Sequence, residues 1–155
     1  GDHRDLHVRR RRQRQMCIRD SIIEEVVVSV DCRVIANPEP GAGRTGTLQV
    51  GISHLGKDIG QRILVVPVDR PGFSDSTLEA LISSVATSCP TKGGRGGHPI
   101  LLSAEDVARV VQSPPSTPLR DLIDPDRIEV ADSHLHLNVD RQEDLDWLAD
   151  AFSGL

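Results

Sequence analysis

Asp69 closes the apolar run Ile63-Leu64-Val65-Val66-Pro67-Val68. A continuous β-branched run reads as a buried parallel strand. Arg70-Pro71-Gly72 then force a turn, so the strand would deliver a fixed carboxylate to the carboxyl edge of a sheet. Open α/β sheets bind their ligands at that edge. A rigidly placed carboxylate there suits a hard cation such as Mg²⁺, which takes one or two carboxylates plus phosphate oxygens. Asp140 ends a second strand-like run, residues 135–139. If the two strands are neighbours, both acids meet at one rim and can share a cation and a nucleotide's phosphates. The alternative for each is a helix N-cap, and it is the stronger for Asp140, because a helix pattern follows at once.

Other residues offer weaker chemistry. Gly41-Ala42-Gly43-Arg44-Thr45-Gly46 matches G-x-G-x-x-G, and Asp69 lies 23 residues after Gly46. That approaches a dinucleotide fingerprint, whose acid holds a ribose hydroxyl and which would make the chain an NAD-dependent oxidoreductase. The fit is poor, because Asn37-Pro38-Glu39-Pro40 separate the first glycine from any preceding strand. A glycine-rich turn feeding a helix explains the motif as well. Gly96-Gly97-His98-Pro99 forms a segment in which backbone N–H groups and an imidazole can approach a ligand closely; a mobile surface loop is the alternative. His134 and His136 share a face if they lie on a strand, but no third ligand at a suitable spacing completes a zinc site.

Several elements must position these groups. Residues 22–30 carry apolar positions at helical spacing and lead into a strand at 32–36. Thr45 or Thr47 caps a helix running to Leu55. The strand at 63–68 is followed by a helix starting at Ser74 or Asp75, with Leu78, Leu81, Ile82 and Val85 on one face. Residues 92–97 are a flexible loop, 99–102 a short strand, and Ser103-Ala104-Glu105-Asp106 opens a helix to Val111. Residues 119–123 form a helical turn, 128–130 and 135–139 are strands, and 140–151 an amphipathic helix. The alternation argues for an α/β fold with a mostly parallel sheet.

The first 21 residues read differently. Arg11-Arg12-Gln13-Arg14-Gln15-Met16-Cys17-Ile18-Arg19-Asp20-Ser21 resembles one translated frame of a transposase sequencing adapter. Residues 1–21 are therefore set apart as a non-native segment, and 22–155 as one domain whose natural start is missing. Without the arm, 11 basic and 20 acidic residues remain, a net charge of −9. That disfavours a nucleic-acid surface, which needs a basic footprint. Cys32 and Cys89 are too scattered for a metal site and fit a reducing cytoplasm. No apolar stretch approaches the ~20 residues of a membrane helix.

In order and spacing, these stretches resemble the MobA-like nucleotidyltransferases, which include the molybdenum-cofactor cytidylyltransferases and guanylyltransferases. Asn37-Pro38 followed by Gly43-Arg44-Thr45-Gly46-Thr47-Leu48 is similar to the family's Asn-Pro loop and the helix start beside the nucleotide. Val68-Asp69-Arg70-Pro71 resembles its Asp-x-Pro signature, and Gly96-Gly97-His98-Pro99 its Gly-His-Pro loop. Asn138-Val139-Asp140-Arg141-Gln142-Glu143-Asp144-Leu145 resembles its Asp-x-Asp-Thr-Pro-Glu-Asp-Leu segment, with Arg141-Gln142 in place of Thr-Pro. The family's opening Gly-rich triphosphate loop has no counterpart here.

The resemblance implies a three-layer, Rossmann-like nucleotide-diphospho-sugar transferase fold lacking its first strands. It implies that the parent protein transfers a nucleoside monophosphate from CTP or GTP to a phosphorylated acceptor such as molybdopterin, with pyrophosphate released; the chain itself, without the triphosphate loop, is expected to be nearly inactive. Asp69 would be catalytic and, with Asp140, would hold Mg²⁺; Thr47, Gly97 and His98 would contact substrates. The alternatives are the NAD-dependent enzyme and a noncatalytic nucleotide-binding module. The partners expected are small molecules, with no nucleic acid and no membrane.

Overall fold

The computed structural model describes residues 35–55, 60–141 and 143–152. The expected helix at 22–30 lies outside them, as does most of the strand at 32–36. Residues 1–38 and 39–155 are two compact units. In the first, residues 35–38 carry no helix or strand. The second holds every element below.

Among the described residues, five strands form one sheet: β1 (Ile63–Val65), β2 (Ser88–Lys92), β3 (Arg95–Gly96), β4 (Ile100–Leu102) and β5 (Asp126–Glu129). Four α-helices among the described residues accompany them: α1 (Arg44–His54), α2 (Asp75–Ser83), α3 (Ala104–Gln112) and α4 (Asp144–Phe152). The α/β class holds, but the sheet is mixed rather than mostly parallel. β1 pairs antiparallel with β4, and β2 pairs antiparallel with both β3 and β4; only β2 and β5 run parallel. Short connections are the cause. Gly93 and Gly94 take φ of 59° and 79°, the left-handed pair that closes a two-residue hairpin. The segment expected to be a flexible loop is therefore a tight turn joining paired strands.

β2 is the centre of the sheet, although its sequence, Ser-Cys-Pro-Thr-Lys, has no strand signature. Pro90 normally argues against a central strand, because it lacks an N–H. Here its carbonyl accepts the Gly97 N–H at 2.8 Å. A strand residue's N–H and C=O point to the same side, so the missing donor falls where the ladder is already broken, between β3 and β4. Thr87, just before β2, replaces apolar packing with a buried polar knot. Its hydroxyl donates to the Asp106 carboxylate and accepts the Ser103 N–H at 2.9 Å, while Ser103 Oγ accepts the Asp106 N–H at 3.2 Å. The knot fixes the start of α3 against the sheet. Leu81, Leu101, Leu102, Val110, Ile123 and Leu135 supply the apolar core.

Several expected elements are shorter or absent. β1 stops at Val65, and Val66 and Val68 are 48% and 87% exposed, so Asp69 lies in a turn after an exposed stretch and not at a buried strand end. Residues 135–139 form no strand, although Leu135 is buried. α4 begins at Asp144, and its Leu145 and Trp147 face solvent. Neither Thr45 nor Thr47 is the N-cap of α1; that position is Gly43, at φ 110°. On α2, Thr77 and Leu81 are buried and Ile82 is exposed; Val85, expected on the same helix face, lies beyond the end of the helix and is exposed. No helix among the described residues is long and apolar enough to cross a membrane.

Asp132, remote in sequence, holds the start of α2. Its Oδ2 accepts the Ser74 N–H at 3.0 Å and the Thr77 hydroxyl at 2.6 Å. Burial alone would raise its pKa. The hydrogen bonds from Thr77 and Ser74, with Lys92 nearby, outweigh it and hold the carboxyl below its usual range. A carboxyl depressed in the folded state contributes stability above its unfolded pKa and loses it as pH falls through the folded value. Asp132→Asn is therefore expected to lower the urea midpoint at pH 7 and to narrow its gap from the parent protein as the pH drops below about 4. Urea melts at both pH values check this.

Candidate active site

Asp69 lies in a turn closed by the Arg70 N–H, which donates to the Pro67 carbonyl at 3.3 Å. The next residues make a close backbone approach. A Cβ on Gly72 would lie 1.7 Å from the His134 carbonyl oxygen, so only glycine lets the turn settle on the 134–135 backbone. Val139 then donates its N–H to the Asp69 carbonyl at 3.0 Å. Residues joined by such a bond have Cα atoms ~5 Å apart. The turn of Asp69 and the segment leading to Asp140 therefore meet at one rim, without the second strand that the sequence suggested.

Asp140 is exposed and accepts a hydrogen bond from the Asn138 side-chain amide. The other end of that amide, Asn138 Oδ1, is buried and has no hydrogen-bond partner among the described residues. A buried acceptor without a donor is uncommon and marks a place for a cation or a ligand donor. Asn138 was missed as a site residue because an Asn before an apolar residue reads as strand-end or turn chemistry. Its signal was its place at the head of the segment that resembles the family's Asp-x-Asp motif, two residues before Asp140.

His98 sits behind the same rim, and its Nδ1 is also buried and unpartnered among the described residues. Burial lowers its pKa first. Arg70 lowers it further, Asp69 opposes them, and Arg44 adds a smaller lowering. The neutral imidazole is favoured, and Arg44, Asp69, Arg70 and His98 share one electrostatic neighbourhood. Gly97 brings the imidazole in: its N–H bonds the Pro90 carbonyl, and a Cβ there would sit 2.8 Å from Leu135 Cγ. In the sequence both arginines stand inside the quoted motifs without a role of their own. Thr47 lies in the first turn of α1, where its hydroxyl donates back to the Gly43 carbonyl at 3.3 Å. It shares that helix start with Arg44.

Among the described residues, no three His, Cys, Asp or Glu side chains gather into a metal cluster. His136 instead lies against the Lys92 carbonyl, at 3.4 Å. The rim offers the carboxylates of Asp69 and Asp140 and the orphaned amide oxygen of Asn138. These are hard oxygen donors, too few for an all-protein cage. They fit Mg²⁺, which keeps several waters and completes its shell with substrate phosphates.

A family model described as the MobA-like NTP transferase domain matches residues 9–133. The matched stretch contains Thr47, Asp69, Gly97 and His98, begins within the Arg-rich arm and stops seven residues before Asp140. The family implies a nucleotide-diphospho-sugar transferase-like fold, with which the α/β architecture agrees. No curated protein matches the chain.

Gly72→Ala tests the close approach that joins the two halves of the rim. The added methyl meets backbone, which cannot rotate away, so a stability loss of about 1–3 kcal/mol or more is expected from overpacking. Gly41→Ala is the control, because a Cβ there meets nothing within 4 Å. Thermal melts of the two variants should separate clearly.

Proposed function

The chain belongs to the MobA-like NTP transferase family, and from that premise we propose that it transfers a nucleoside monophosphate from CTP or GTP to a phosphorylated acceptor such as molybdopterin. An acceptor phosphate oxygen forms a bond to the α-phosphorus, the bond from the α-phosphorus to its bridging oxygen breaks, and pyrophosphate leaves. The observation carrying this reading is the Val139 N–H to Asp69 carbonyl bond, which sets the two acidic segments side by side.

In this reading Asp69 and Asp140 hold Mg²⁺, with the Asn138 amide oxygen beside them. Bound Mg²⁺ neutralises phosphate charge and aligns the reacting groups. Arg44 and Arg70 attract the phosphates to the rim. Neutral His98, carried by Gly97, contacts the acceptor. Thr47 and the N-terminal end of α1 lie toward the nucleotide, where a helix dipole favours negative charge.

The test is pyrophosphate release from CTP or GTP with a phosphorylated acceptor, with and without Mg²⁺. It is run on the chain and on a version whose residues 1–21 are replaced by the genomic sequence preceding the Ile22 codon. Asp69→Ala is expected to reduce turnover on the order of a hundredfold, as removal of a main electrostatic group does. Unchanged turnover would refute the role of Asp69. Mg²⁺-independent NADH binding would favour the dinucleotide enzyme, and nucleotide binding without turnover in both versions a noncatalytic module.

A further inference from the structure

The loop carrying Asn138 and Asp140 has no strand to stiffen it, yet it must present two side chains in register with Asp69. One carboxylate supplies the constraint. Asp144 Oδ2 accepts the N–H of Asp140 at 2.8 Å and the N–H of Arg141 at 2.8 Å. Its own N–H donates to the Arg141 carbonyl at 3.1 Å. Three bonds thus clasp Asp144 to the backbone of Asp140 and Arg141, and the carboxylate reaches backwards from the first turn of α4 in the manner of half a capping box. The clasp fixes the backbone of Asp140, whose carboxylate holds the Asn138 amide by its nitrogen. That contact turns Asn138 Oδ1 into the buried position where it has no partner among the described residues. On the other side, the Val139 N–H binds the Asp69 carbonyl.

We infer that Asp144 is a positioning residue of the cation site: its carboxylate clasps the N–H groups of Asp140 and Arg141 and so presents Asn138 and Asp140 to a divalent cation beside Asp69. The inference rests on the cation-binding reading above.

The competing explanation is that Asp144 only caps α4. The experiment separates the two, using Mn²⁺ as the probe on the full 155-residue chain. Broadening of the Asp69, Asn138 and Asp140 amide NMR signals reports cation binding, and hydrogen exchange at Asp140 and Arg141 reports the clasp. Asp144→Ala is expected to weaken Mn²⁺ binding about tenfold, as loss of an outer partner of a metal ligand does, and to speed exchange at both amides. Asp144→Asn keeps an acceptor oxygen and should stay near the parent affinity. Ala149→Gly loosens α4 without touching the clasp and should leave binding unchanged.

Parent affinity in Asp144→Ala, or an equal loss in Ala149→Gly, overturns the positioning role. If Asp144→Ala does not fold, Arg141→Pro removes one clasped N–H and leaves the carboxylate in place; parent affinity there likewise overturns it. If the parent chain shows no Mn²⁺ broadening at Asp69 or Asp140, the cation site itself fails, and the inference falls with it. Broadening in the parent that persists in Asp144→Ala defeats the clasp alone.

Discussion

The hydrogen bond from the Val139 N–H to the Asp69 carbonyl joins two segments that are 70 residues apart in the chain. A single backbone bond has a modest net worth, on the order of 1 kcal/mol, so it cannot hold the rim by itself. It forms because other constraints deliver its partners. Gly72 lets one backbone settle against another at His134. Leu135 is buried and anchors the segment from below. Asp132 ties the beginning of the same segment to the start of α2. The site is thus a meeting of two loops, each pinned at several points, and not the paired ends of two strands.

That arrangement explains why the unsatisfied atoms gather where they do. Regular strands would have satisfied their neighbours and hidden the side chains on alternating faces. Loops leave side chains to find partners individually, and here Asn138 Oδ1 and His98 Nδ1 are left without them among the described residues. Arg44 and Arg70 bring positive charge to the same imidazole that Asp69 faces. A carboxylate, two guanidinium groups and an imidazole thus act on one another in one neighbourhood, and the proposed binding of a metal-bound phosphate rests on that charge pattern.

The scaffold behind the rim uses polar contacts where a larger apolar core would otherwise serve. With 2% aromatic residues, the chain has little bulk to bury. The Thr87–Ser103–Asp106 knot and the Gln49 side chain compensate in part. Gln49 Nε2 donates to the carbonyls of Val110 and Ser113, each at 2.8 Å, and so satisfies the end of α3 from α1. These contacts are directional. They fix the angles between elements, whereas aliphatic packing chiefly fixes their separation.

The α/β class, the helix starts at Ser74 and Ser103 and the family resemblance were all legible in the sequence, because apolar period, capping residues and short motifs are local properties. Asp69 and His98 stood out for the same reason. What the sequence could not determine was how these pieces meet. The central strand is polar and contains Pro90, so neither periodicity nor propensity marks it; only its three pairing partners make it a strand. The mixed sheet follows from a hairpin at Gly93-Gly94 that composition alone reads as loop. Arg44 and Arg70 joined the candidate site only through His98, far along the chain, and Asn138 through the burial of its amide oxygen. Tertiary structure decided those points because hydrogen bonds and electrostatic fields depend on distances between atoms, and spacing along a chain fixes such distances only within one helix, strand or turn.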